Sequence, residues 1–350
     1  MLTVQFLGQR HSLLRSGGYR TALVGKYGLQ GKGQDAESWP AYPTKRGFDD
    51  FLGYVRHVDG YIHYPAHEWS LGGSKKHRTK KELWHNDSEI SDSLQKCFTS
   101  DLFTAYAKKW IVEGYEKNPE QPFFLYLAYD TPHAALQYPT SAYPAGGGLE
   151  GGMQWLGEPG KMINTAHGEI DSWVHPDYEK EGWTDPEKRQ AGMVRRLDDH
   201  IGDLVKLLKD LKIDENTLVV FTSDNGPHNV DYLKKEEYDG SSFQPYGPFN
   251  GIKRDVLEGG IRMPTLVRWP QTIPAKRVDR HPSQFHDWLT TFLAAAKLPL
   301  PAQADGVSLL PSLTGKASQK KGAVYVEYQG HGRTPGFEDF FPKYRNSKRG

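Results

Sequence analysis

Leu218-Val219-Val220-Phe221-Thr222-Ser223-Asp224-Asn225-Gly226-Pro227 is a short apolar run that ends on an acid, an amide and a turn-forming Gly-Pro pair. Unbroken β-branched and aromatic residues suit a strand covered on both faces, as in a parallel sheet flanked by helices. In such sheets ligands gather outside the carboxyl ends of the strands. Asp224 and Asn225 there offer a carboxylate and an amide oxygen, donors suited to calcium or magnesium and poorly suited to a soft metal. The plainer reading is a turn, since Asp, Asn and Gly all favour one.

Helix and strand signals alternate on either side of this run, which points to an α/β sheet. Residues 11–16 read as the tail of a helix stopped by Gly17-Gly18, and residues 19–24 as a strand with Lys26 just past its end. Residues 101–113 read as a helix and 122–129 as a strongly buried strand, closely followed by His133. Between 193 and 211 the apolar residues Met193, Leu197, Ile201, Leu204, Val205, Leu208 and Leu211 fall at helical spacing. Asp198, Asp199 and His200 could bind a metal, but on such a helix they read as a solvated face. Residues 143–183 carry glycine clusters and the tryptophans Trp155, Trp173 and Trp183 without periodicity, as expected of a long excursion from the core. Those rings either stack on sugars or pack against one another. The basic run at 75–81 reads as another solvated face, residues 286–296 as a helix, and 324–328 as a further strand.

Three strand ends thus carry Lys26, His133 and the Asp224-Asn225 pair, which parallel strands would bring to one edge. A fourth element adds Lys253, followed by Glu258-Gly259-Gly260-Ile261-Arg262-Met263-Pro264 and the strand at 265–268. Two lysines, a histidine and a divalent cation suit a small tetrahedral oxyanion and the charge that grows as an ester bond breaks.

Composition narrows the partners. The chain has 350 residues, enough for a large core, and 44 Lys and Arg against 43 Asp and Glu. Without a strong net charge there is no long-range field for a polyanion, so no nucleic-acid partner is expected. The single Cys97 cannot form an internal disulfide and reads as a quiet, partly buried thiol. No stretch is long enough for a membrane span, and residues 1–8 are too weakly patterned for a signal peptide. Gly31-Lys32-Gly33-Gln34-Asp35-Ala36 formally fits a dinucleotide fingerprint, but Pro40 and Pro43 argue against the helix that a pyrophosphate needs.

Gly25-Lys26, the run from Phe123 to His133, Phe221 to Pro227, Gly251-x-Lys253 and Glu258 to Pro264 together resemble the successive signatures of the arylsulfatase-like sulfatases of the alkaline phosphatase superfamily. Asp305-Gly306-Val307-Ser308-Leu309 is similar to the segment that closes the family's main domain. The resemblance implies a mostly parallel α/β sheet, with a sulfatase domain over 1–315 and the start of a smaller carboxyl-terminal part over 316–350. It implies that Asp224 and Asn225 bind Ca2+, that Lys26 and Lys253 grip the sulfate, and that His133 protonates the departing alcohol of a sulfate ester, in particular of a carbohydrate. The family's formylglycine arises from Cys-x-Pro-x-Arg or Ser-x-Pro-x-Arg, a motif these residues do not contain. The expectation is therefore a chain lacking its first strand, its nucleophile segment and two further calcium-binding aspartates, with less stability than a full-length relative. A non-catalytic remnant and a phosphoesterase of the same superfamily are the alternatives. Gly28 stands where many sulfatases place a histidine, and His57, His63 or His67 could compensate. Family members are usually periplasmic or extracellular.

Overall fold

The computed structural model describes residues 13–29, 38–69, 80–229, 238, 240 and 243–327. These form two compact units, one principally of residues up to 212 with 293–300, the other of the remainder.

The first unit is built on a five-stranded sheet. β1 (Arg20–Lys26) lies at its heart, with the parallel neighbours β2 (Asp50–Tyr54) and β5 (Phe123–Ala128); β3 (Trp84–His85) and β4 (Ser88–Glu89) extend it antiparallel beyond β2. The α/β architecture expected from the sequence is thus present, as a mixed sheet. Strand alternation divides the core. Leu23, Phe51 and Val55 meet Trp39, Tyr42 and Phe48 in one buried cluster, while Tyr54 meets Phe103 edge-on at 6.0 Å. Phe103 belongs to helix α1 (Thr99–Lys117), which packs on β1, β2 and β5. Cys97, just before this helix, is buried as expected, and burial pushes its thiol up to about 12.

Among the described residues β5 pairs with β1 alone and is half-buried, with Tyr126 44% exposed, so it is less covered than its apolar sequence suggests. The excursion at 143–183 contains a hairpin of β6 (Trp155–Glu158) and β7 (Lys161–Ile163). Its tryptophans pack on the protein's own rings: Trp155 on Tyr106 at 5.3 Å, Trp173 on His175 at 5.4 Å, Trp183 on Tyr178 at 5.6 Å.

Helix α2 (Asp185–Asp210) opens with a capping box in which Thr184 and Glu187 exchange hydrogen bonds. Its buried stripe is only partly the apolar one, with Leu208 and the C-cap Leu211 also buried. Met193, Arg196, His200, Asp203 and Leu207 are buried, whereas Leu197, Ile201, Leu204 and Val205 are half-buried. His200 therefore does not share the solvated face assigned to it, because Asp101 and Tyr129 receive it inside: Nε2 stands 3.3 Å from Asp101 Oδ1, and the ring stacks on Tyr129 at 5.6 Å. Lys81 is likewise buried rather than solvated, while Lys80 is exposed and pairs with Asp92 at 2.8 Å. The rest of that basic run, and the glycine-rich loop at 31–36, lie outside the described residues.

In the second unit, β8 (Val219–Thr222) pairs antiparallel with β9 (Thr265–Arg268), in register from Val219 opposite Arg268 to Thr222 opposite Thr265. The strand read from the opening run exists, but its partner and its half-buried state differ from expectation. An apolar run specifies a strand without specifying its neighbour. Helix α4 (Phe285–Ala295), preceded in this unit by the short helix α3 (Glu258–Ile261), secures the segment 305–309. Asp287 Oδ1 accepts from the Val307 amide at 2.8 Å, and Thr291 Oγ1 from the Leu309 amide at 2.9 Å. Residues 324–327 are not a strand, because the side chain of Gln284 takes the partner's place, bonding both the amide and the carbonyl of Tyr325; residue 328 lies outside the described residues. No described helix is long and apolar enough to cross a membrane.

Candidate active site

Lys26 is the last residue of β1 rather than the first beyond it, and Gly25 is what allows the strand to end there. Gly25 has φ +112, and a Cβ on it would lie 2.0 Å from the Ala128 carbonyl oxygen. Only glycine tolerates both the conformation and the approach. The Lys26 side chain then runs along the 3₁₀ helix His57–Tyr61: Nζ donates to the Gly60 carbonyl at 3.4 Å and sits 5.5 Å from the centre of the Tyr61 ring. His133, in the loop after β5, stacks on the same ring at 5.6 Å with 26° between planes. Lys26 and His133, far apart in sequence, therefore meet at Tyr61.

Several hydrogen bonds hold this arrangement from below. The Ala135 amide donates to the Tyr61 carbonyl at 2.9 Å, and the His63 amide to Gln137 Oε1 at 2.7 Å. The buried His63 donates from Nε2 to the His133 carbonyl at 3.1 Å, while its Nδ1 stands 3.3 Å from Asp130 Oδ2. Asp130 also accepts from Thr99 Oγ1 at 2.6 Å. Burial alone would raise the Asp130 carboxyl, but His63, the Thr99 hydroxyl and Lys26 outweigh it and bring it below the usual range. His133 Nδ1 donates to the Ala134 carbonyl.

Of the three histidines that could compensate for Gly28, the structure places His57 beside it. A Cβ at Gly28 would lie 3.8 Å from His57 Nδ1. His63 is committed to the loop beneath His133, and His67 bonds the Gln95 carbonyl at 3.1 Å. Tyr61 was missed by sequence reasoning, and the only signal for it was its place after a glycine in an aromatic-rich turn.

In the second unit the turn after β8 is clamped by glycines. The Gly226 amide donates to the Gly260 carbonyl at 2.8 Å, and a Cβ on Gly226 would stand 2.0 Å from the Gly259 carbonyl oxygen. The Gly259 amide donates to the Asn250 carbonyl at 2.7 Å, and the Lys253 amide to the Pro227 carbonyl at 2.7 Å. Asp224, Asn225 and Lys253 are so fixed on neighbouring turns. Burial lowers the Lys253 ammonium's hold on its proton, and the nearby Asp224 charge works against that. Asp224 is exposed and Asn225 half-buried. Among the described residues no three His, Cys, Asp or Glu side chains gather as a metal shell. Calcium takes six to eight oxygens, so Asp224 and Asn225 fit it by donor chemistry and as part of a shell.

The sulfatase family model matches residues 11–298. The chain is similar to the N-acetylgalactosamine-6-sulfatase of Sus scrofa, 30% identical over 318 residues that cover 88% of this chain and 49% of that protein. It is also similar to the N-acetylgalactosamine-6-O-sulfatase of Bacteroides thetaiotaomicron, 28% identical over 72% of this chain and 38% of that protein. Among solved structures, Ps i-CgsB superposes with a TM-score of 0.62 at 25% identity, covering 88% of this chain and 58% of that one. The chain spans about half the length of the N-acetylgalactosamine-6-sulfatases it matches.

Proposed function

The chain belongs to the sulfatase family, and on that premise we propose that it serves the hydrolysis of sulfate esters of carbohydrates. The observation that carries the proposal is the pairing of Lys26 with His133 across Tyr61, which sets a cation beside a proton donor at the carboxyl ends of neighbouring parallel strands. The relatives named for 6-sulfated N-acetylgalactosamine support the carbohydrate class.

In this reading the Lys26 ammonium neutralises a sulfate oxygen, and His133 Nε2 delivers a proton to the ester oxygen as its bond to sulfur breaks; Lys253 is a further candidate cation on its own unit. The departing sugar then leaves as a neutral alcohol. Asp224 and Asn225 would hold calcium as two of its ligands, and the bound ion would supply further positive charge against the sulfate oxygens. No residue of either cluster is assigned the attack on sulfur.

The test is sulfate release by the full-length protein from a 6-sulfated N-acetylgalactosamine oligosaccharide, beside the matched phosphate ester. The expected result is faster sulfate release, reduced about 100-fold by His133→Ala, as befits a general acid. Preference for the phosphate ester, or indifference to His133→Ala, would contradict it.

A further inference from the structure

We propose that Tyr61 is a positioning residue whose ring sets the spacing between Lys26 and His133; the inference rests on the sulfate-ester reading above. Three charged or titratable groups converge on this half-buried ring. Lys26 Nζ stands 5.5 Å from its centre, His133 stacks on it at 5.6 Å, and His57 meets it edge-on at 5.3 Å. A cation within about 6 Å of an aromatic face is held by the ring's quadrupole, so Tyr61 gives the flexible Lys26 stem a fixed resting place. The face of an aromatic ring likewise favours the protonated form of a stacked imidazole.

The ring is itself anchored from both sides in sequence. Its carbonyl accepts from the Ala135 amide at 2.9 Å, which ties Tyr61 to the loop that carries His133. The carbonyl of Gly60, its neighbour, receives Lys26, and a Cβ on Gly60 would lie 2.8 Å from Lys26 Cδ. The turn Gly60-Tyr61 therefore offers Lys26 a groove with a backbone acceptor on one side and an aromatic wall on the other.

The test compares Tyr61→Phe with Tyr61→Leu in the full-length protein, using inorganic sulfate as the probe and the titration of the His133 ring, followed by NMR, as the second readout. Tyr61→Phe is expected to keep both. Tyr61→Leu is expected to weaken sulfate binding about fivefold, the equivalent of one modest cation–π contact, and to lower the His133 midpoint. Should Tyr61→Leu not fold, Tyr61→Met fills the space without a π face and answers the same question. Unchanged binding and titration in the leucine or methionine variant would overturn the proposal, as would a Tyr61→Phe variant as impaired as Tyr61→Leu. If wild-type protein ignores sulfate while Tyr61→Leu still shifts His133, the positioning role stands and the sulfate reading falls.

Discussion

Asp101 grips Arg196 with both carboxylate oxygens: Oδ1 accepts from Nε at 2.8 Å and Oδ2 from Nη2 at 2.7 Å, with both side chains buried. The pair joins the first turn of α1 to the middle of α2, and Thr165 Oγ1 adds a further donor to Oδ2 at 2.8 Å. Removing one partner strands a buried charge. Arg196→Met is accordingly expected to cost about 3–5 kcal/mol in urea unfolding, whereas removing the half-exposed Lys109 beside Glu113 should cost about 1 kcal/mol or less. Similar losses from both variants would refute this ranking.

The same cluster gives stability a pH dependence. Burial would raise the Asp101 carboxyl, but Arg196 and His200 hold it well below the usual range. Its contribution is complete above the unfolded value of about 3.9 and disappears as pH falls toward the folded value. His200 is lowered by burial, so below about 6.5 the unfolded chain takes up a proton that the folded chain resists. Both groups weaken the fold in acid. Melting temperature should fall steadily from pH 7 downward, and His200→Gln should flatten the upper part of that slope; an unchanged slope in this variant would remove His200 from the explanation.

Asp203 organises the glycine-rich excursion. It accepts from Lys108 Nζ and the Gly148 amide, both at 2.7 Å, from Tyr143 Oη at 2.7 Å and from the Met153 amide at 2.8 Å. Asp203→Ala should accelerate exchange of the Gly148 and Met153 amides by about tenfold or more, since each loses a charge-assisted bond. Undisturbed protection at both would show that the loop is held otherwise.

Calcium binding through Asp224 and Asn225, as proposed, would have a thermal signature. If the ion binds only the folded chain, calcium at about 100 times its dissociation constant adds about 2.7 kcal/mol. The melting temperature should rise with calcium and cease to do so in Asp224→Ala. Equal calcium responses in both proteins would exclude this carboxylate as a ligand.

Much of this was written in local pattern. The strand at β1, the helix at α1, and the separate strands β8 and β9 follow from apolar runs, glycines and punctuated motifs. Tyr61 was not legible, because a ring on a short 3₁₀ turn has no periodicity and gains its role from residues distant in sequence. The buried stripe of α2 was only partly legible: its apolar spacing is clear and Met193, Leu208 and Leu211 are buried, yet Arg196, His200 and Asp203 also go inside because Asp101 and Lys108 meet them there. The antiparallel neighbour of β8 likewise depends on a partner that Val219 to Thr222 do not specify.

Sulfate binding measured by calorimetry on the wild-type protein, Lys26→Met and Lys253→Met tests the oxyanion reading most directly. Each variant should bind sulfate about tenfold more weakly, the worth of roughly 1.4 kcal/mol. Sulfate affinity that is unchanged when either lysine is removed would contradict it.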